Sequence, residues 1–298
     1  MYLALWTLLT CGESGVHTLV LAQNKGGVGK TSISRILSEY FAREGYRVLG
    51  LDLDPQCNYS RRFLAMDYDP ADPDGVYPAI HPAYLPQEHG EWDGRSSSAD
   101  IFTNHPTVPY PSWVDNLEVL PGHGERLRQL ESQARNGAQM MFQALKAFLD
   151  RGDLREHYDL VVIDTSPSKD ALARSAMTAA THLLIPTLLE TQSTEGLVGM
   201  LAFWRQVNRS RTSPLEIIGI LPNRVRPVGL HEGLLQGLKG HPGTGRFMTP
   251  VTLADRIAFA ESDHTDARPK SVFDLPKSNK ARLEAEAVGR YVQGKLFA

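Results

Sequence analysis

The sequence contains very little cysteine, with Cys11 and Cys57 the only two in 298 residues. Two thiols are too few for a disulfide scaffold or for a four-cysteine metal cluster within one chain. The ten histidines are scattered, with no spacing typical of a zinc site. We therefore expect a protein of a reducing compartment, the cytoplasm.

Long apolar runs are also missing. Residues 1–11 are apolar, but they fall well short of the ~20 residues that cross a membrane. A signal peptide begins with positive charge and ends in a small-residue cleavage site, and this segment has neither. We interpret residues 1–15 as an N-terminal extension beside the first core strand, with a signal peptide as the alternative.

The composition, 42% hydrophobic and 22% charged, is ordinary for a globular protein. The charge is uneven along the chain. Residues 201–298 hold 15 Lys and Arg against 9 Asp and Glu, a net charge of +6, so the first 200 residues carry −9 of the overall −3. A basic C-terminal third is either an ordinary solvated surface or a face that binds a polyanion.

The opening of the chain predicts alternating strands and helices. Residues 16–23 form an apolar run, a loop follows at 24–29, and apolar residues then recur at helical spacing up to Phe41. A second apolar strand at 47–53 completes a β-loop-α-β unit with parallel strands. Further strand candidates are Leu117–Leu120, 160–163, 182–186 and 217–221. The predicted fold class is α/β, with a doubly wound, mostly parallel sheet flanked by helices.

Residues 66–113 interrupt this pattern. They are rich in Pro, Gly, Asp, Ser and Tyr and show little periodicity beyond a short turn at 99–102. Long irregular segments in compact domains are usually functional or disordered. Because this one follows the second strand, we interpret it as an insertion into a single domain of residues 1–298, and not as a domain boundary.

The strongest motif is Lys25-Gly26-Gly27-Val28-Gly29-Lys30-Thr31-Ser32, between the first strand and the first helix. Glycines there let backbone N–H groups face a phosphate chain, and the helix N-terminus adds positive charge. By the chemistry of such P-loops, Lys30 reaches the β- and γ-phosphates of ATP and the Thr31 hydroxyl binds Mg²⁺. The strict P-loop pattern has Gly where this sequence has Asn24.

The additional Lys25, five positions before Lys30, makes the motif specific. With it the sequence resembles the ParA/MinD family, Soj-like proteins included, whose deviant Walker A motif carries this second lysine. The resemblance is to the ParA partition branch. It implies that Lys25 crosses a dimer interface to contact the nucleotide held by the partner subunit.

Two acidic motifs agree with this resemblance in order and spacing. Asp54, in the segment that closes the second strand, corresponds to the family's aspartate that helps to position the attacking water. Asp164 ends the apolar run 160–163 and resembles a Walker B aspartate that holds Mg²⁺ through water. The alternative for Asp54 is a simple turn cap. The family usually has a second proline at the position of Ser166.

Asn223, after the strand at 217–221, matches the family's asparagine that contacts the adenine base; a turn asparagine is the alternative. The resemblance covers nearly the whole chain apart from the insertion and the N-terminal extension. It implies a slow ATPase that uses ATP and Mg²⁺, forms an ATP-dependent homodimer and is stimulated by a ParB-like or other cargo adaptor. Lys25, Lys30 and Asp54 are the expected catalytic residues.

In the ParA branch the track is nucleoid DNA, bound without sequence preference, and the cargo is a plasmid, a chromosome or another large body. The candidate DNA-binding residues are Arg205, Arg209, Arg211, Lys277, Lys280 and Arg282. We accordingly expect a cytoplasmic, nucleoid-associated protein.

The alternative function is membrane positioning of the MinD kind. Val288, Tyr291, Val292 and Leu296 form an apolar stripe on the last helix, which suits either lipid binding or core packing. Related metal-cluster carriers need paired cysteines late in the chain, and related tyrosine kinases carry a C-terminal tyrosine cluster. This sequence has only Tyr291 in its last helix and no late cysteine.

Overall fold

The structure is a computed structural model that describes residues 16–70, 72, 75–88, 92–133, 138–263 and 270–297. The predicted N-terminal extension, residues 1–15, lies outside these ranges. Nine strands are assigned in the described part of the chain: β1 (His17–Leu21), β2 (Val48–Leu53), β3 (Met66–Tyr68), β4 (Val76–Pro78), β5 (Tyr110–Pro111), β6 (Leu117–Leu120), β7 (Leu160–Thr165), β8 (His182–Leu188) and β9 (Glu216–Asn223).

Helices connect most of these strands. They are α1 (Lys30–Arg43), α2 (Asn58–Phe63), α3 (Asp100–Thr103), α4 (Gly124–Gln133), α5 (Ala138–Leu149), α6 (Gly152–His157), α7 (Ala171–Ala179), α8 (Ser193–Asn208), α9 (Gly229–Gly240), α10 (Ile257–Ser262) and α11 (Lys280–Leu296). Short 3₁₀ turns lie at Gly245–Phe247 and Val272–Asp274.

The main sheet has seven strands in the order β5-β6-β2-β7-β1-β8-β9. All neighbouring pairs are parallel except β5 with β6, which is antiparallel at the edge. The predicted doubly wound, mostly parallel α/β fold is therefore confirmed. The six strands predicted from apolar runs all belong to this sheet.

Two hydrophobic cores cover the two faces of the sheet, as the alternation of side chains along β1 illustrates. Val20 packs into the core formed with α4, α5, α7 and α8, whereas Leu19 and Leu21 pack into the core formed with α1, α2 and α11. Successive side chains of a strand point to opposite faces. A strand covered on both faces is therefore apolar at every position, which explains the continuous apolar runs in the sequence.

The segment 66–113, predicted to be irregular, contains more structure than its sequence reveals. The short strands β3 and β4 pair as an antiparallel hairpin, and β5 adds the antiparallel edge strand to the main sheet. Strands of two or three residues are too short for a periodic pattern to predict them. The segment is also attached to β2, because the Ser98 hydroxyl donates to the Asp52 carbonyl.

The apolar stripe on α11 belongs to the core. Val288, Val292 and Leu296 are buried against the sheet and α1, and the Tyr291 hydroxyl donates to the Ile218 carbonyl at 2.6 Å. In this structure the stripe is thus not available for lipid. Among the described residues, no helix has the length and apolar character needed to cross a membrane.

The contact between α1 and α11 provides a test of this packing. A Cβ atom added at Gly289 would lie 2.4 Å from the Tyr40 ring, whereas one added at Gly294 meets nothing within 4 Å. We expect Gly289→Ala to lower the free energy of unfolding by about 1–3 kcal/mol through overpacking. Gly294→Ala, in the same helix, is expected to raise it by about 0.5–1 kcal/mol through helix propensity. Urea unfolding of both variants measures the difference, and equal effects would contradict the assigned packing.

Candidate functional site

The predicted site residues meet at the carboxyl edge of the parallel sheet. The P-loop follows β1, Asp54 follows β2, Asp164 lies in the last part of β7 and Asn223 ends β9. The strands β2, β7 and β1 are neighbours, and Asp52 of β2 is in register with Asp164 of β7. Carboxyl ends of strands in such sheets are where ligands bind.

The P-loop backbone has the shape of a phosphate cradle. Gly27 and Gly29 have φ angles of 73° and 93°, in the left-handed region that favours glycine. A Cβ atom added at Gly26 or Gly27 would meet nothing within 4 Å, whereas one added at Gly29 would lie 2.2 Å from the Asn223 amide nitrogen. The loop leads directly into α1, whose first N–H groups have no intrahelical acceptor. These features fit the binding of a phosphate chain.

The two lysines of the motif occupy different environments. Lys30, the first residue of α1, is buried; burial lowers its pKa, and the charges of Asp164 and Asp54 oppose that effect. Lys25 is more exposed and forms an ion pair with Glu190, which follows β8. Lys30 thus points into its own loop, whereas Lys25 lies at the rim.

Asp164 and Thr31 form the predicted metal-binding pair. The Thr31 hydroxyl donates to Asp164 Oδ2 at 2.7 Å, and the Ser34 hydroxyl donates to Asp164 Oδ1 at 2.9 Å. Burial, followed by repulsion from Asp54, raises the pKa of Asp164 to about 6. A carboxylate and a hydroxyl are oxygen ligands of the kind that Mg²⁺ prefers. The residues present therefore fit this ion.

Asp52 and Asp54 hold the turn after β2. Asp52 is fully buried and accepts from the Ser60 N–H and hydroxyl, at 2.9 and 2.6 Å, and from the Asp54 N–H at 3.1 Å. Asp54 accepts from the Gln56 N–H at 3.0 Å. Burial, followed by repulsion from Asp164, raises the pKa of Asp52 to about 7. Burial also raises the pKa of Asp54, and the positive charge of Lys30 counteracts this increase.

The segment after Asp164 has its own polar network. Ser166, where proline is usual in the family that the sequence resembles, donates to Asp170 at 2.7 Å. Asp170 also caps α7 by accepting from the Ala173 N–H at 2.7 Å. Glu131 of α4 faces this group: burial, followed by a hydrogen bond with Asp170, raises the pKa of Glu131 to about 8. The segment is therefore tied both to α7 and to α4.

Two other predicted nucleotide-binding residues bind protein groups in this structure. The Asn223 amide donates to the Val28 carbonyl at 2.9 Å, so it braces the P-loop, and its contact with an adenine base stays a prediction. The Ser32 hydroxyl donates to Asp263. Asp263 also accepts from Arg35 at 3.2 Å.

The six candidate DNA-binding cations are not one patch. Arg205 of α8 and Arg209, directly after it, are exposed on one side of the sheet, whereas Lys277 and Lys280 are exposed next to α11 on the other. No ion pair of these four side chains is found within the described part of the chain.

Two of the six cations have structural roles instead. Arg211 donates to the carbonyls of Met177, Thr178, Ala180 and Ser213. Arg282 donates to the carbonyls of Phe273 and Leu275 and pairs with Glu286. The Arg282 guanidinium is thus held by protein groups in this structure, and its contact with DNA stays a prediction. Arg211 is likewise fixed and half-buried, and is not the free surface cation that its sequence position suggested.

Sequence reasoning missed several residues of the site. Asp52 lies two residues before Asp54, in the apolar run 47–53, and a carboxylate in such a run is a signal that was available. Ser34 follows Lys30 by one helical turn, which also predicts a common face. Glu190 and Asp263 had no sequence signal, because their contacts depend on tertiary structure.

Comparisons with known proteins agree with this geometry. Residues 16–217, more than half of the chain, match a family described as an AAA domain. Protein IncC of Escherichia coli is 27% identical over 96% of this chain and 71% of its own length. The chromosome-partitioning ATPase Soj of Thermus thermophilus is 30% identical over 83% of this chain and 85% of its own length.

Solved structures show the same fold. An ATP complex of a McdA variant from Cyanothece superposes with a TM-score of 0.71 at 19% identity, covering 94% of this chain and 97% of that chain. At this identity the likeness concerns the fold alone.

The buried acids predict a pH dependence of stability. The folded state keeps protons on Asp52 and Asp164 that the unfolded chain releases near the ordinary pKa of 3.8. Between about pH 4 and pH 7 the folded state therefore binds more protons, and its stability falls as the pH rises. We expect Asp164→Asn to flatten this decline, because it removes one of the two buried charges.

Urea unfolding between about pH 5 and pH 8, without nucleotide, measures the effect. Asp159→Asn is the matched control, since Asp159 pairs with Arg47 at the surface and its pKa is lowered. Parallel pH curves for wild type and Asp164→Asn would contradict the assignment.

Proposed function

We propose that this chain, which belongs to the ParA/MinD family of P-loop ATPases, is a ParA-like partition ATPase. In this proposal it forms an ATP-dependent sandwich dimer, binds DNA without sequence preference and positions a plasmid, chromosome or other large cargo. The observation that carries the proposal is the presence of two lysines in one P-loop, Lys30 buried beneath the loop and Lys25 at its rim. The relative Soj, a chromosome-partitioning ATPase, supports the partition role.

The site residues divide the work of phosphoryl transfer. The P-loop N–H groups and Lys30 bind the phosphates, and Thr31 and Asp164 would hold Mg²⁺, which would neutralise charge that develops on the phosphate oxygens. Asp54 is placed to orient the attacking water. Its turn is held by Asp52 and Gln56, so its carboxylate needs little reorganisation. Because no covalent nucleophile takes part, positioning and charge account for the rate.

Lys25 supplies the reason for dimerisation. Its ammonium group is paired with Glu190 in the single chain, and in the proposed dimer it leaves Glu190 to contact the phosphates of the partner's nucleotide. An isolated subunit then lacks one positive charge at the phosphates, so hydrolysis is slow until two copies meet. A ParB-like or other adaptor is expected to accelerate it further.

DNA binding is supported by exposed cations on one side of the sheet or the other, Arg205 and Arg209 next to α8 or Lys277 and Lys280 next to α11. Their charges are free to contact backbone phosphates, which explains binding without base recognition. In this proposal the protein is cytoplasmic and associated with the nucleoid.

The different places of the two lysines predict different defects. We expect Lys30→Ala to lose ATP binding at least about 100-fold, because a buried cation at the phosphates is removed. Lys25→Ala is expected to bind ATP within about threefold of wild type but to remain a monomer with it. Nucleotide titration and analytical ultracentrifugation with a non-hydrolysable ATP analogue measure both properties.

Lys239→Ala, an exposed lysine on α9, is the matched control and should dimerise like wild type. A full-strength ATP-dependent dimer of Lys25→Ala would contradict the sandwich arrangement.

DNA binding predicts a steep salt dependence. With the ATP analogue the protein should bind duplexes of unrelated sequence with similar affinity, and log affinity should fall with log salt at about −0.9 per phosphate contact. The ADP-bound protein should bind at least about tenfold more weakly.

The measurement is fluorescence anisotropy with two unrelated duplexes at several salt concentrations, beside sedimentation with phosphatidylglycerol vesicles. Vesicle binding without DNA binding would instead support membrane positioning.

A further inference from the structure

A pocket of about 280 Å³ lies between α5, α7 and the loop that joins α8 to β9. It is lined by three cationic residues, Lys146, Arg174 and Arg211. Among the described residues, no carboxylate lines it. We call it the α7–α8 pocket. It lies at the amino ends of β8 and β9, on the opposite edge of the sheet from the P-loop.

Arg211 gives the pocket a fixed positive charge. Its guanidinium donates to the carbonyls of Met177 at 2.8 Å and Ala180 at 2.6 Å, and to that of Thr178, all at the end of α7. Burial lowers the pKa of Arg211, but arginine stays protonated in proteins. Within the described chain, only carbonyl dipoles compensate this charge, so it retains an attraction for an anion.

Lys146 and Arg174 add two further positive charges. Arg174 of α7 lies over the Phe203 ring at 4.8 Å and donates to Gln206 at 3.4 Å, which leaves further N–H donors free. Lys146 of α5 pairs with Asp150 at 2.8 Å, and Asp150 also pairs with Arg155. Asp150 is therefore shared between two cations, and the described lining itself holds three cationic side chains and no carboxylate.

Neutral donors complete the lining. The hydroxyls of Thr178 and Ser210 donate to the carbonyls of Arg174 and Val207 and are not counted among these donors. Gln143, Thr212 and Ser213 are exposed at the rim and can donate to a ligand. The small cavity thus holds three cationic side chains, with Arg211 fixed by carbonyls, and neutral donors at its rim. This set fits the oxygens of a phosphate group.

We propose that the α7–α8 pocket binds a backbone phosphate of duplex DNA through Lys146 and Arg174, beside the fixed positive charge of Arg211. This inference rests on the proposed function, and it assigns the DNA contact to a built site. Arg205 and Arg209 extend from the same side of the sheet and are placed to contact neighbouring phosphates. Lys277 and Lys280, on the other side, are not part of this surface.

The test compares two double variants with equal loss of charge. The pocket variant combines Lys146→Gln with Arg174→Gln and removes two of the three cations that line the pocket. The control combines Lys277→Gln with Lys280→Gln and removes two exposed cations on the opposite side of the sheet. We expect the pocket variant to lose at least about tenfold in DNA affinity near 0.1 M salt and to show a salt slope flatter by about 0.9 per lost contact. The control should change less than about twofold. Fluorescence anisotropy with a random-sequence duplex and the ATP analogue measures both.

A second pair of variants guards against misfolding, because Arg174 also packs on Phe203. Thr212→Asp places a negative charge at the exposed rim of the pocket, and Ser278→Asp places one at an exposed position beside Lys277. Only Thr212→Asp should weaken DNA binding. All four variants should still form the ATP-dependent dimer in sedimentation.

The outcomes separate this inference from the proposed function. If wild type binds DNA and the pocket variants bind equally well, or if both double variants lose the same affinity, the pocket assignment is overturned and the proposed function stands. Absence of DNA binding by ATP-bound wild type overturns both. Loss of binding to phosphatidylglycerol vesicles in the pocket variants, with unchanged DNA affinity, would assign the pocket to lipid phosphate instead.

Discussion

The burial of Lys30 among carboxylates is the constraint on which the site depends. Asp54 and Asp164 oppose its ammonium group, and Asp52 lies in register with Asp164 on the neighbouring strand. Buried charges are stable only when they are paired and hydrogen bonded. The hydroxyls of Thr31, Ser34 and Ser60 and several backbone N–H groups supply those bonds.

Three acids against one cation leave an excess of negative charge. Burial and mutual repulsion raise the pKa values of Asp52 and Asp164, so bound protons compensate part of this excess charge. A divalent cation between Thr31 and Asp164 would compensate it in a different way, and it would favour the ionised acids. The protonation of the acids at the turns after β2 and β7 therefore depends on what the site holds, and in the proposed function this dependence couples those turns to the nucleotide.

Much of this arrangement was predictable from sequence, because it depends on local pattern. The apolar runs predicted the six main strands, and the motif around Lys25 and Lys30 predicted the P-loop between β1 and α1. The parallel order then brings Asp54 and Asp164 to the same edge. The features that sequence reasoning missed depend on contacts between distant parts of the chain. The sequence around Arg211 predicts an exposed cation, but its guanidinium is held by carbonyls at the end of α7. The edge strand β5 was missed because two residues carry no periodic signal.

Helix α7 connects the two ends of the molecule. Asp170, which binds Ser166 just after Asp164, caps its first turn, and Arg211 binds the carbonyls at its last turn. A helix of nine residues is about 13 Å long, so α7 spans the distance between these two contacts. A shift of the segment after Asp164 would therefore reach the α7–α8 pocket without any change in the sheet. This gives the proposed DNA contact a physical connection to the nucleotide.

The ion pair of Lys25 with Glu190 bears on how readily two copies associate. Both side chains are substantially exposed, at 38% and 49%, and exposed ion pairs contribute at most about 1 kcal/mol. Exchange of Glu190 for the phosphates of a partner's nucleotide therefore costs little, while a charge-assisted contact in a closed interface is stronger. With no nucleotide in the partner, the same exchange would leave the ammonium group without a counter-charge, and the pair with Glu190 is then the better state. In the proposed dimer, this weak contact would make association depend on the nucleotide, because the pair with Glu190 is easily exchanged when the nucleotide is present.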